Sequence, residues 1–187
     1  HIGSTTVTTV GGFLPLILAE GGFWPPFAVT IAGGNVIRIP ITAEDSFPKR
    51  IATMCESLYP PPKVLIINYP HNPTAELGSR DLFADIVALA RKYQFIVVHD
   101  FAYAKITFDG YRAPSFLEIP EAREVGVEFG SFSKSFNMAG WRLGYCVGNK
   151  KLIEGLAKIK GYYDYGIFSP IQVSGIVALR DFYDDLR

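Results

Sequence analysis

The chain has 187 residues, 49% of them hydrophobic and 19% charged, enough for one ordinary domain with a substantial core. Its 18 Lys and Arg balance its 18 Asp and Glu, so a nucleic acid or another polyanion is not indicated as a partner. The two cysteines, Cys55 and Cys146, fit no zinc spacing and no disulfide framework, which implies no metal site and a reduced, cytoplasmic setting.

Residues 1–37 are rich in Gly, Thr and Pro, and Glu20 is the one Asp, Glu, Lys or Arg among them. The first Lys or Arg is Arg38, so the basic start of a secretory signal is missing. The apolar stretch Phe13 to Ala19 is short and carries Pro15, so no membrane span is expected. A chain that opens on His1 rather than Met is expected to begin inside a longer protein.

Val36 to Ile41 reads as a short strand. Ser46 to Leu58 reads as a helix, stopped by Pro60-Pro61-Pro62. Val64 to Ile67 is a continuous apolar run, the pattern of a strand buried on both faces. Ser79 is placed to cap a helix running through Tyr93, with Leu82, Phe83, Ile86, Val87 and Ala90 on one face. Phe95 to Val98, Val125 to Phe129 and Leu143 to Val147 read as further strands. Lys150 to Lys160 and Pro170 to Arg187 read as helices. The alternation predicts an α/β domain: a three-layer, mostly parallel sheet with helices on both faces.

In such a sheet, ligands gather beyond the carboxyl ends of the strands. Three polar clusters fall there: Asn68 to Thr74, then His99, Asp100 and Tyr103, then Ser131, Ser133 and Lys134. The third lies in Gly130-Ser131-Phe132-Ser133-Lys134-Ser135-Phe136-Asn137-Met138-Ala139-Gly140-Trp141-Arg142-Leu143-Gly144. An amine there can form a Schiff base with an aldehyde, and the hydroxyls and guanidinium can hold a phosphate. Pyridoxal 5'-phosphate carries both groups, which makes it the expected cofactor and Lys134 its lysine.

Asn68-Tyr69-Pro70-His71-Asn72-Pro73-Thr74, Val98-His99-Asp100-Phe101-Ala102-Tyr103 and the lysine run together resemble the aspartate-aminotransferase superfamily, fold type I of the pyridoxal-phosphate enzymes. The resemblance runs from about Ile31 to about Leu179. The stretch Phe108-Asp109-Gly110-Tyr111-Arg112-Ala113-Pro114-Ser115-Phe116 is similar to the class I/II group, nearest to the alanine/glutamate–pyruvate and LL-diaminopimelate aminotransferases. The resemblance implies that Lys134 bonds the cofactor aldehyde and later moves the substrate α-proton. It implies that Asp100 pairs with the pyridine nitrogen and keeps the ring protonated as an electron sink. Tyr103 and Asn72 would bond the cofactor 3′-oxygen, with a cis peptide before Pro73. Ser131 and Arg142 would bind the phosphate; Ser133 either joins them or only shapes the turn. His71 and His99 are read as packing or hydrogen-bonding groups.

The sequence departs from the family pattern over residues 1–30. The phosphate-binding glycine loop has no good match in Gly3-Ser4-Thr5-Thr6 or Gly11-Gly12. The ring expected over the pyridine face falls in Glu20-Gly21-Gly22-Phe23-Trp24-Pro25-Pro26-Phe27, where neither Phe23 nor Trp24 is a clear substitute. Residues 31–187 are expected to form part of the cofactor-binding large domain, and the C-terminal small domain and N-terminal arm to be absent. The resemblance implies a parent aminotransferase that moves an amino group from an amino acid to a 2-oxo acid, acts in amino-acid biosynthesis and forms a homodimer. The alternatives are a pyridoxal-phosphate lyase of the same fold and a catalytically dead cofactor-binding remnant. The chain alone is expected to be aggregation-prone and to turn over little or not at all.

Overall fold

The computed structural model describes residues 35–40, 46–183 and 186. The N-terminal segment expected to depart from the family pattern, including Phe23 and Trp24, lies outside the described residues. Residues 36–40 form no strand, contrary to the expected Val36 to Ile41 element, whose last residue also lies outside them.

Among the described residues the first helix, α1, is Phe47–Ser57, with a proline in its first turn, where the missing N–H costs nothing. It packs on α2, Arg80–Tyr93. As predicted, Ser79 caps α2: its Oγ accepts from the Leu82 N–H at 3.1 Å. Asp81 in the first turn and Arg91 and Lys92 in the last complement the helix dipole. Gln94 ends α2 in the left-handed conformation, and its N–H bonds the Ala90 carbonyl.

The described residues form a four-stranded sheet in the order β1 (Val64–Asn68), β2 (Ile96–Asp100), β3 (Gly126–Ser131), β4 (Gly144–Gly148). β1, β2 and β3 are parallel, while β4 returns antiparallel to β3. The connections fit this: α2 carries the chain from β1 to β2, and α3, Ala122–Val125, precedes β3. Between β3 and β4 lie only the single-turn helix α4, Phe132–Ser135, and the 3-10 turn Ala139–Trp141. So short a link favours an antiparallel return over a parallel crossover. Two helices follow, α5 (Lys150–Tyr163) and α6 (Ser169–Asp181). The first runs past its expected end at Lys160; the second stops before its expected end at Arg187.

The main core lies between the sheet and α2. Phe83, Ile86, Val87 and Ala90 pack with Ile67, Val97, Phe116 and Ala122. A smaller cluster joins Phe132 and Leu143 to Ala178 of α6. β1 departs from the expectation of two buried faces. Leu65 and Ile67 turn to the core, but Val64 and Ile66 on the other face are 49% and 42% exposed. An unbroken apolar run records no face, because successive side chains alternate whether or not both sides are covered.

Candidate active site

The parallel register brings the three polar clusters to one sheet edge. Asn68 lies opposite Asp100, and Asp100 opposite Phe129, two residues before Ser131. Asn68 clips the first cluster to the second. Its Nδ2 donates to the Asp100 carbonyl oxygen at 2.9 Å, and its Oδ1 accepts from the Asn72 N–H at 2.9 Å. The Asn72 Nδ2 then donates to the Tyr103 hydroxyl oxygen at 2.9 Å. With that oxygen engaged as an acceptor, the Tyr103 proton remains available for another oxygen. His71 serves the turn itself, with Nδ1 2.7 Å from Thr74 Oγ1. The peptide between Asn72 and Pro73 is cis, as the resemblance implied.

Asp100 ends β2 with its Oδ1 accepting the Ala102 N–H at 3.2 Å. Burial pushes its pKa up, and the Ala102 N–H and His99 only partly oppose this. A carboxylate held so is stabilised by a cation placed against it.

Lys134 stands on α4, immediately after β3. Phe132, 3% exposed, anchors the turn in the smaller core, and Ser131 caps it by accepting the Ser133 N–H at 3.1 Å. The Lys134 ammonium lies 5.6 Å from the centre of the Tyr103 ring. Tyr103 thus meets Asn72 at its hydroxyl and Lys134 at its face. Arg142, exposed and in the left-handed conformation, donates from Nη1 to the Ala139 carbonyl at 3.1 Å. The structure therefore gathers Asn72, Tyr103 and Lys134 beside Asp100. It ties Ser131 to Ser133 and ties Arg142 to its own turn.

Glu128 and Ser115 were not singled out from the sequence. Glu128 is 7% exposed and lies opposite His99 in the β2–β3 register. The available signal was one carboxylate inside the apolar run Val125 to Phe129. Among the described residues no helix is long and apolar enough to cross a membrane.

A mostly parallel α/β sheet, with an amine, a half-buried carboxylate and a hydroxyl relay at its carboxyl edge, defines a class of enzyme-like domain with a polar site at the strand ends. Residues 17–184 match the model of the aminotransferase class I and II family, and the chain belongs to that family. The match begins before Ile31, where the resemblance first became legible. The chain is 47% identical over 154 residues to the glutamate-pyruvate aminotransferase AlaC of Escherichia coli, covering 82% of this chain and 37% of that protein. It is 46% identical over 149 residues to an LL-diaminopimelate aminotransferase of Moorella thermoacetica, covering 80% of this chain and 38% of the relative. Among solved structures, apo-BacF of Bacillus subtilis superposes with a TM-score of 0.80 at 29% identity, covering 94% of this chain and 47% of BacF. The chain thus spans less than two fifths of the length of these curated relatives.

Proposed function

We propose that this chain is the cofactor-binding part of a pyridoxal-phosphate aminotransferase, which moves an amino group between an amino acid and a 2-oxo acid. The observation that carries the reading is the Tyr103 bridge: one side chain bonds Asn72 at 2.9 Å and lies 5.6 Å from the Lys134 ammonium, near half-buried Asp100.

The donor set fits pyridoxal phosphate. Lys134 offers an amine, Asp100 a desolvated carboxylate, and Tyr103 a spare hydroxyl proton. Ser131 and Ser133 offer hydroxyls, and Arg142 has guanidinium N–H groups left after its bond to Ala139. When bound, the cofactor supplies an aldehyde carbon that bonds amines and a ring that withdraws electrons from the substrate α-carbon. Asp100 would hold a proton on the ring nitrogen, because a cation beside it offsets the cost of its burial. The Tyr103 O–H would donate to the ring oxygen, with Asn72 fixing its direction. Arg142 and the two serines would hold the phosphate. Lys134, released by the incoming amine, would take and return the α-proton. A homodimer, as the resemblance implied, is part of the same proposal.

The test is an absorption titration with pyridoxal phosphate on the wild type and on Lys134→Ala. A pH-sensitive band that borohydride fixes to the wild type alone supports the reading; no band in either protein would reject it. On a longer protein that contains this chain, amino-acid turnover that requires a 2-oxo acid supports aminotransfer. Pyruvate released from a thioether without a 2-oxo acid would point to a lyase.

A further inference from the structure

A second polar network lies on the other face of β2 from Asp100. His99 is 0% exposed. Its Nδ1 lies 2.9 Å from Glu128 Oε2, and its Nε2 lies 3.1 Å from the Tyr69 carbonyl oxygen. The Tyr69 carbonyl can only accept, so that bond is made when Nε2 carries a proton. Glu128 is itself held. The Ser115 hydroxyl donates to its Oε1 at 2.8 Å, and the Phe116 N–H donates to its Oε2 at 2.9 Å. The elements packed around the imidazole otherwise present rings: Phe83 from α2, Phe101 after β2, and Phe116, with centroids 5.1, 5.0 and 6.3 Å away. Glu128 is the charged side chain they leave facing it, and Asp100 is its neighbour along the strand.

Tyr69 begins the turn that carries Asn72. That turn is pinned twice to β2, by Asn68 on the Asp100 carbonyl and by the Tyr69 carbonyl on His99. The first pin is half-buried and uses a single amide. The second is fully buried and backed by a carboxylate with three donors on it. A buried, fully satisfied network of this kind holds one arrangement, because any loosening leaves polar groups unpaired.

We propose that His99 and Glu128 are positioning residues that pin the Tyr69 carbonyl and thereby set where Asn72 meets Tyr103. The proposal rests on the reading of Asn72, Tyr103, Asp100 and Lys134 as a cofactor site, but its first test needs no cofactor. In the nitrogen-labelled chain, the His99 Nε2 is expected to carry a slowly exchanging proton, because the Tyr69 carbonyl beside it can only accept. A bare Nε2 in the wild type overturns the proposal without any variant.

Two substitutions separate the arms of the ring. His99→Gln keeps a donor where Nε2 stood and loses the link to Glu128. His99→Asn keeps the link to Glu128 and loses the donor to Tyr69. The Asn72 side-chain amide resonance is expected to move in His99→Asn and to stay near its wild-type position in His99→Gln. Equal displacement in both variants, or none in either, overturns the proposal. With pyridoxal phosphate added, affinity is expected to fall about tenfold in His99→Asn, the scale of one lost hydrogen bond, and by under about threefold in His99→Gln. A wild type without a Lys134-dependent band would reject the cofactor reading, while the amide comparison would still decide the positioning role.

Discussion

Asn72 and Tyr103, 31 residues apart in sequence, meet in a 2.9 Å hydrogen bond between the amide nitrogen of one and the hydroxyl oxygen of the other. Each follows a different parallel strand, and only the β1–β2 register, with Asn68 opposite Asp100, brings them together. The bond turns Tyr103 into a donor with a fixed direction and leaves its ring beside Lys134.

If Tyr103 donates to an oxygen that is negatively charged in the high-pH form, removing the hydroxyl makes that form harder to reach. In Tyr103→Phe the pH midpoint of the Lys134-dependent absorption band is expected to rise by about 1 unit, equivalent to about 1.4 kcal/mol. Asn72→Ala is expected to shift it in the same direction by less. A spectrophotometric titration of the three proteins checks this; an unchanged or lowered midpoint in Tyr103→Phe would count against the assigned role.

Asp100 links stability to binding with opposite signs. Burial raises its pKa in the folded chain, so the ionised carboxylate weighs against the cofactor-free fold at neutral pH, and the penalty fades as pH falls through the raised value. Asp100→Asn removes that penalty. The variant without cofactor is expected to melt no lower than the wild type at pH 7. Its affinity for pyridoxal phosphate is expected to fall by roughly 10- to 100-fold, the scale of a lost charge-assisted hydrogen bond. Calorimetric melting and equilibrium binding together test the pair of signs.

The Ser79 cap is a stability device remote from the lysine. Ser79→Ala leaves the Leu82 N–H without its acceptor and is expected to cost about 1 kcal/mol. Urea unfolding should show the loss. The Lys134-dependent band should be unaltered, and a change in it would mean that α2 couples to the site more strongly than the contacts indicate.

Cys146 sits mid-strand in β4, and burial pushes its thiol up to about 11. At pH 8 roughly a thousandth of it is thiolate. Alkylation of Cys146 is expected to be at least about a hundredfold slower in the folded chain than in denaturant, read by mass spectrometry of the modified peptide. Equal rates would show that β4 opens readily.

The elements that were legible in the sequence are those set by near neighbours. The α2 boundaries follow from Ser79 three residues before an N–H that it caps, and from an apolar face at helical spacing. The strands before the polar clusters follow from apolar runs of strand length, and the lysine run from its residue types. Other features lay beyond that range. The exposure of Val64 and Ile66 depends on what covers a sheet face, and the bond of Arg142 to Ala139 on a left-handed turn.

By itself the sequence determined the α/β alternation, the family and the residues available for chemistry, because hydrophobic period, capping and motif are written along the chain. The tertiary structure decided which of those residues meet. Strand register set Asn72 against Tyr103 and Glu128 against His99, and the short link after β3 turned β4 antiparallel. The physical reason is that pairing between strands is a long-range choice. It is fixed by burying α2 against Ile67 and Val97 and by satisfying every polar group that this burial removes from water.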